Sequence, residues 1–480
     1  MRSYLGRSFV KGPRVFILAV GLAACGSEAG SPTAPSPDPI SPGDETALLD
    51  STFRIDIQSI DVAIDLFPGE RRAQAQASVR FRMRPGQTRP LVHLEPARLP
   101  GAAVELRLDG EALDVARASD VKLVTFAGSP QVALELQRDV PASGTHRLEA
   151  AYAVPMTDGF GRFFTDVNDL AGRGNEALFP TLNTPHELAH HVITLRVHAG
   201  EPYVLVGSGK ATRRGTGDVQ EWVLDSEREV ASYTMMFFLV PARDATVSER
   251  RIQGVDVRVL AALGGPTAED AFAQLDPWLA ELQGALGPFP MPRGLSVALT
   301  AAGGGMEYYG GTITSLGALR HEVFHMYYGC STLARTYRDS WWDEAINVWY
   351  EVSRNPAFAA IGEDFRSDIV SGRSPIGVGF DRRAYDEGAR VVQAVARDLG
   401  GRDPTVAFLR ELHGARSFDP FTTLDLAEEI RARRGVDERE RFLRWLYTGG
   451  ATASAAPSPW EWLHQVDTTP PEAVRRLYAR

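Results

Sequence analysis

Cysteine is scarce: the 480 residues contain two, Cys25 and Cys330. No disulfide framework can hold such a chain together, so its stability has to come from packed cores. A long apolar run is also missing, because Val15–Ala24 is too short to span a bilayer as a helix. No segment repeats at a fixed period, which argues against a solenoid or propeller. Nor is there an excess of positive charge: 51 Lys and Arg stand against 61 Asp and Glu, a net charge of −10. That balance excludes the basic footprint by which proteins hold nucleic acid.

What is present is a globular composition, 44% hydrophobic and 23% charged, in a chain too long for one ordinary core. Two domains with flanking segments are expected. The first segment has its own character. Arg2, Arg7, Lys11 and Arg14 precede the apolar run, the layout of a secretory signal. The run ends Leu22-Ala23-Ala24-Cys25-Gly26, which resembles the lipobox of bacterial lipoproteins. The resemblance implies a signal peptide over 1–24, a membrane lipid on Cys25, and a place in the bacterial cell envelope facing outside the cytoplasm. An acylated Cys25 leaves Cys330 without a disulfide partner. Residues 25–49, rich in Pro, Ser and Gly, suit a tether. Removing residues 1–24 takes away four positive charges and no acids, so the net charge becomes −14.

From Phe53 the apolar residues alternate: Phe53, Ile55 and Ile57, then Ile60, Val62, Ile64 and Leu66, then Ala77, Val79, Phe81 and Met83. Period two predicts half-buried strands, and residues 50–257 read as a β domain of stacked antiparallel sheets. Beyond it the period lengthens. Phe272, Leu275, Leu279, Leu282 and Leu286 recur at threes and fours, an amphipathic helix over 268–286 with Pro277 as its awkward residue. A short strand, 295–299, leads into the Gly-rich "AAGGGMEYYGG", and the chain is then mostly helical. The second domain is placed at 258–455, with a tail over 456–480. The fold class is α+β.

Two His-Glu-x-x-His patterns occur, at His186, Glu187 and His190 and at His321, Glu322 and His325. A metal-binding pair four apart needs a helix, where both side chains leave the same face. The first copy runs into His191, Ile193, Leu195 and Val197, which alternate as in a strand and would hold His186 and His190 roughly 13 Å apart. It is read as a loop entering a strand. The second, "LRHEVFHMYYG", suits a helix whose buried face is Leu319, Val323, Phe324 and Tyr327. Eighteen residues after His325 comes Glu344, in another helix-length apolar segment. Two imidazoles and a carboxylate leave a fourth position open on one zinc ion, as catalytic sites require. Glu322, not a ligand, would accept the proton of the activated water.

This spacing resembles the gluzincin aminopeptidases, the group that includes aminopeptidase N and the leukotriene hydrolase. Two further motifs support the likeness. "GGMEY", Gly304 to Tyr308, looks like the exopeptidase motif; the resemblance assigns Glu307 to the substrate's free amino terminus, with Gly304, Gly305 and Met306 beside it. "AYDEGARVV" looks like the Tyr-x-x-Gly segment, with Tyr385 at the oxyanion. "LFPTLNTPHELAHHVITL" places Phe179, Pro180 and Pro185 as in the family's β domain, with Asn183 where Asp is usual. The family fold is an N-terminal β-sandwich or saddle followed by a thermolysin-like zinc domain, acting on peptides with a free N-terminus. Cys330 stands where Asn is usual, Ala345 where Gly is usual, the interval from Glu344 to Tyr385 is short, and the long C-terminal helical domain of many members has no counterpart here. Asp339 matches an acid of the motif and is read either as orienting a ligand histidine or as a solvated acid. Cys330 is read as a buried small residue. The alternatives to an aminopeptidase are a zinc endopeptidase and a catalytically inactive binding scaffold.

Overall fold

A computed structural model describes residues 53–448, apart from 95–103, 126–131, 155–162, 165–174, 176–177, 183, 209–210, 215–217, 301–303 and 371–382. The expected signal peptide, Cys25, the tether, Asn183 and the 456–480 tail lie outside the described residues.

The first half is built on an eight-stranded sheet. Its spatial order is Thr212–Arg214, Val219–Ala231, Leu188–His198, Ile55–Phe67, Arg72–Met83, His146–Ala153, Val104–Leu108 and Glu111–Leu113. Ile60, Val62, Ile64 and Leu66 are buried while the residues between them face outward, as the alternation predicts. The three-residue step from Ile57 to Ile60 has a physical counterpart: the register slips between Ile57 and Ser59, so Gln58 is an extra residue that restores the inward face. One expectation needs correction. Ile55–Phe67 pairs with Leu188–His198 in parallel, so the sheet is mixed. The two strands are more than a hundred residues apart, and side-chain period carries no information about the direction of a distant partner.

The second half centres on a five-stranded sheet ordered Ala245–Ile252, Val255–Ala262, Leu295–Thr300, Gly311–Ser315 and Gly305–Tyr308. It straddles the 257/258 division, since a strand's alternation does not say which sheet it will join. Helix Ala268–Leu286 makes the crossover between two parallel strands of this sheet. It starts with a capping box between Thr267 and Asp270. Pro277 is tolerated because it lies on the exposed side, where water can satisfy the carbonyl it leaves unbonded.

The remaining helices follow as Leu319–Phe324, Trp341–Val352, Ala389–Asp398, Arg402–Arg416, Thr423–Arg434 and Arg439–Leu446. Gly435, in the left-handed region at φ 73°, ends the fifth of these. Helix Trp341–Val352 is the hub: Trp342, Ala345, Val348 and Trp349 are fully buried, and the Trp342 indole stacks on Phe421 at 5.0 Å. No helix among the described residues is long and apolar enough to cross a membrane.

Candidate metal centre and its surroundings

The second His-Glu-x-x-His occupies a six-residue helix, Leu319–Phe324, with His325 as its C-terminal cap. Leu319, Val323, Phe324 and Tyr327 are all fully buried, so the helix is pinned and its two imidazoles project together. His321 Nε2 and His325 Nε2 lie 3.3 Å apart. Glu344 Oε2, from the hub helix, is 2.9 Å from the first and 3.5 Å from the second. The three donor atoms fall within 4.8 Å of one another, and all three side chains are buried.

Hydrogen bonding decides what those atoms offer. His325 Nδ1 lies 2.7 Å from Asp343 Oδ1 and 3.0 Å from the Tyr328 carbonyl. Both are acceptors, so Nδ1 donates, and in the neutral ring that a metal requires the lone pair sits on Nε2. Two nitrogens and one carboxylate oxygen turned on a single buried point is the donor set zinc takes, and it leaves a position open. The electrostatics ask for positive charge there. Burial opposes the charged form of both histidines, yet Glu344 lifts His321 to about 9, and Asp343, Glu307 and Glu344 lift His325 well above its ordinary value. Burial works to raise Glu344, but the two histidines outweigh it and hold the carboxyl well below its usual range. The residues present therefore fit one zinc ion.

Glu322 leaves the same helix toward the edge strand Gly305–Tyr308. A Cβ on Gly305 would lie 2.5 to 2.6 Å from the Glu322 side chain, so the approach of strand to helix requires glycine. Gly304, at φ 88°, turns the chain into that strand. Burial pushes the Glu322 carboxyl up to about 8, with His321 countering and Glu307 reinforcing the shift. Glu307, Glu322 and His325 also bring ligand atoms within 4.8 Å of one another. Burial raises Glu307 too, against the pull of His325. Met306 needs a correction: strand alternation turns its side chain away from Glu307, into a small core with Val206, Met236 and Ile313.

Tyr385 lies in a π-helical turn, Ala384–Gly388, a local widening that often marks functional sites. Its hydroxyl donates to Glu344 Oε1 at 2.9 Å, and its ring stacks on His321 at 6.0 Å. The glycine of Tyr-x-x-Gly has a steric reason: a Cβ on Gly388 would sit 2.9 Å from Ala345 Cβ, immediately beside Glu344. Ser367 to Glu387 at 2.9 Å and Arg383 to Asp368 at 2.6 Å anchor the turn.

The sequence reading missed the other polar residues of the hub helix. Asp343, Asn347 and Glu351 share a stripe with Glu344 on an otherwise apolar helix. Asp343 holds His325, Asn347 Nδ2 donates to the His321 carbonyl at 3.0 Å, and Glu351 stands 3.9 Å from His321 Nδ1. That i, i+1, i+4, i+8 polar spacing was visible signal. Asp339 fits neither expectation. It is 1% exposed and accepts from the Thr423 amide at 2.7 Å and the Thr423 and Thr336 hydroxyls at 2.8 Å, tying down the start of a later helix. Cys330 is buried, as expected for a small core residue. Tyr308, Tyr309, Trp341 and Trp342 are buried as well.

The first His-Glu-x-x-His is put to other uses. Its His186 and Glu187 precede the strand that begins at Leu188, and His190 lies on that strand. Glu187 is buried, accepts from the Ile57 amide at the bulge, and pairs with Arg84 at 2.8 Å. His186 Nδ1 is 3.1 Å from the Arg335 carbonyl, while His190 Nε2 meets Asp225 at 2.8 Å.

No family model and no curated protein matches the sequence. Solved structures do match in fold. An M1 zinc metallopeptidase mutant from Deinococcus radiodurans, bound to a Tyr-Ser-Ala substrate, superposes with a TM-score of 0.62 at 19% identity, over 84% of this chain and 96% of that one. Legionella pneumophila aminopeptidase A in complex with aspartic acid gives 0.67 at 14% identity, over 83% of this chain and 50% of that one. Native yeast LTA4 hydrolase gives 0.62 at 11% identity, over 84% and 69%. The fold is thus that of the M1 zinc peptidases: a β domain followed by a helical zinc-site domain.

Proposed function

We propose that this chain is a zinc-dependent aminopeptidase that releases N-terminal residues from peptides. The observation that carries the reading is the place of Glu307, on an edge strand and within ligand distance of Glu322 and His325. A carboxylate there suits a substrate ammonium next to the metal centre. The hairpin register supports it. The Ser315 amide donates to the Gly304 carbonyl at 2.8 Å, so by alternation the main-chain groups of Gly305 and Glu307 face the open edge. A peptide can add there as a further strand.

Zinc held by His321, His325 and Glu344 would polarise the scissile carbonyl and lower the pKa of water. Glu322, made a stronger base by burial, accepts a proton from the attacking water and returns it to the leaving amine. Tyr385, beside the same ligand set, donates to the developing oxyanion. Glu307 fixes the amino terminus, so that the first peptide bond reaches the reacting groups.

The test is amino-acid release from unblocked and N-acetylated peptides by a soluble form starting near residue 45, with zinc content measured. Cleavage of unblocked peptides alone supports the reading. Internal cleavage of a blocked peptide would make the enzyme an endopeptidase, and bound zinc without cleavage would leave a binding scaffold.

We further infer a lipoprotein facing outside the cytoplasm, anchored at Cys25. The Leu22–Gly26 pattern after a basic, apolar segment supports it. Labelled fatty acid should enter the wild-type chain and be absent from Cys25→Ala.

A further inference from the structure

Asp343 neither joins the three ligands nor belongs to any motif that the sequence reading used. We propose that Asp343 is a positioning residue that sets His325 as a metal ligand, and that Gly329 is the backbone feature that seats it. The inference rests on the zinc reading above.

Three contacts in series carry it. Gly329 has a φ of 121°, and a Cβ there would lie 2.7 and 2.8 Å from the two Asp343 carboxylate oxygens. The carboxylate fills the space that a side chain at 329 would occupy. Its Oδ1 is 2.7 Å from His325 Nδ1, with the Tyr328 carbonyl 3.0 Å from the same nitrogen. Between two acceptors, Nδ1 carries the proton and Nε2 is left as a lone pair aimed at the point shared with His321 and Glu344. Such a carboxylate–histidine pair fixes the tautomer, orients the ring and makes the nitrogen a better donor.

The two histidines differ in this respect. The Glu351 carboxylate is 3.9 Å from His321 Nδ1, beyond hydrogen-bond distance. An aspartate matters here because it accepts only, whereas an asparagine can rotate to aim an N–H at His325 and favour the tautomer that places hydrogen on Nε2.

The experiment uses the full folded chain and measures zinc dissociation by chelator competition, alongside thermal melting of the zinc-free protein. Asp343→Asn is expected to weaken zinc roughly 10- to 100-fold with little change in zinc-free melting. Gly329→Ala should weaken zinc in the same direction by displacing the carboxylate. Asp339→Asn, four residues away and tied to Thr423, should lower the melting temperature and leave the zinc constant alone. An Asp343→Asn chain that holds zinc as tightly as wild type overturns the proposal. So does one that loses zinc only in proportion to lost melting temperature. A wild-type chain that binds no zinc overturns the zinc reading itself, and is told apart from those outcomes at once.

Discussion

The chain spells His-Glu-x-x-His twice, and the two copies fold differently. At 321–325 the pattern lies on a pinned helical turn, and both imidazoles meet Glu344 from another helix. At 186–190 the same letters enter a strand, and the acid binds a bulge amide and an arginine. The difference teaches that a ligand motif is a statement about spacing on a helix. Where the backbone extends, the same residues become ordinary polar partners of a sheet.

The comparison can be broken most directly with the two glutamates. Glu322→Gln should lower peptide hydrolysis by about 10²- to 10⁴-fold with zinc retained. Glu187→Gln should leave kcat/KM unchanged and lower stability by roughly 1–3 kcal/mol, because it weakens a buried acceptor of Ile57 and Arg84. Peptide release, bound zinc and urea unfolding on both variants decide the matter; equal losses of activity would end the distinction.

Next in size is Tyr385→Phe. If its hydroxyl serves the oxyanion, kcat falls by about 10²- to 10³-fold with KM little changed. A change confined to KM would instead make it a binding residue.

A pH effect separates the copies in the other direction. His191, just past the first motif, is fully buried, and burial lowers it to about 3 from an ordinary 6.5. Between those values the unfolded chain takes up a proton that the folded chain refuses, so stability is lost as pH falls. From pH 6.5 to 5 this histidine should remove about 2 kcal/mol. Urea midpoints across that range should flatten in His191→Gln.

The smallest effect is expected at His190. Its pair with Asp225 is partly exposed, so His190→Ala should change stability by at most about 1 kcal/mol and zinc content not at all.

Much of this was legible in the residues. Alternation showed the strands from Phe53 to Met83, and even the bulge at Gln58 was written as a three-residue step between isoleucines. The zinc trio was legible because i, i+4 and an acid on a second apolar helix are local facts. Met306 was misjudged through neglect of the strand's two faces, Asp339 through trust in proximity along the chain. The polar stripe of the hub helix was visible but went unread.

Two things were settled by sequence alone: which segments are extended or helical, and which residues have metal-binding chemistry. Both depend on short-range periodicity and side-chain type. Only tertiary structure decided that Leu188–His198 runs parallel to Ile55–Phe67, that Gly305 yields its space to Glu322 and Gly388 yields to Ala345, and that Asp343 rather than Asp339 holds His325. Those are contacts between segments distant in sequence, fixed by close packing of backbones, and no local pattern encodes which atoms will meet.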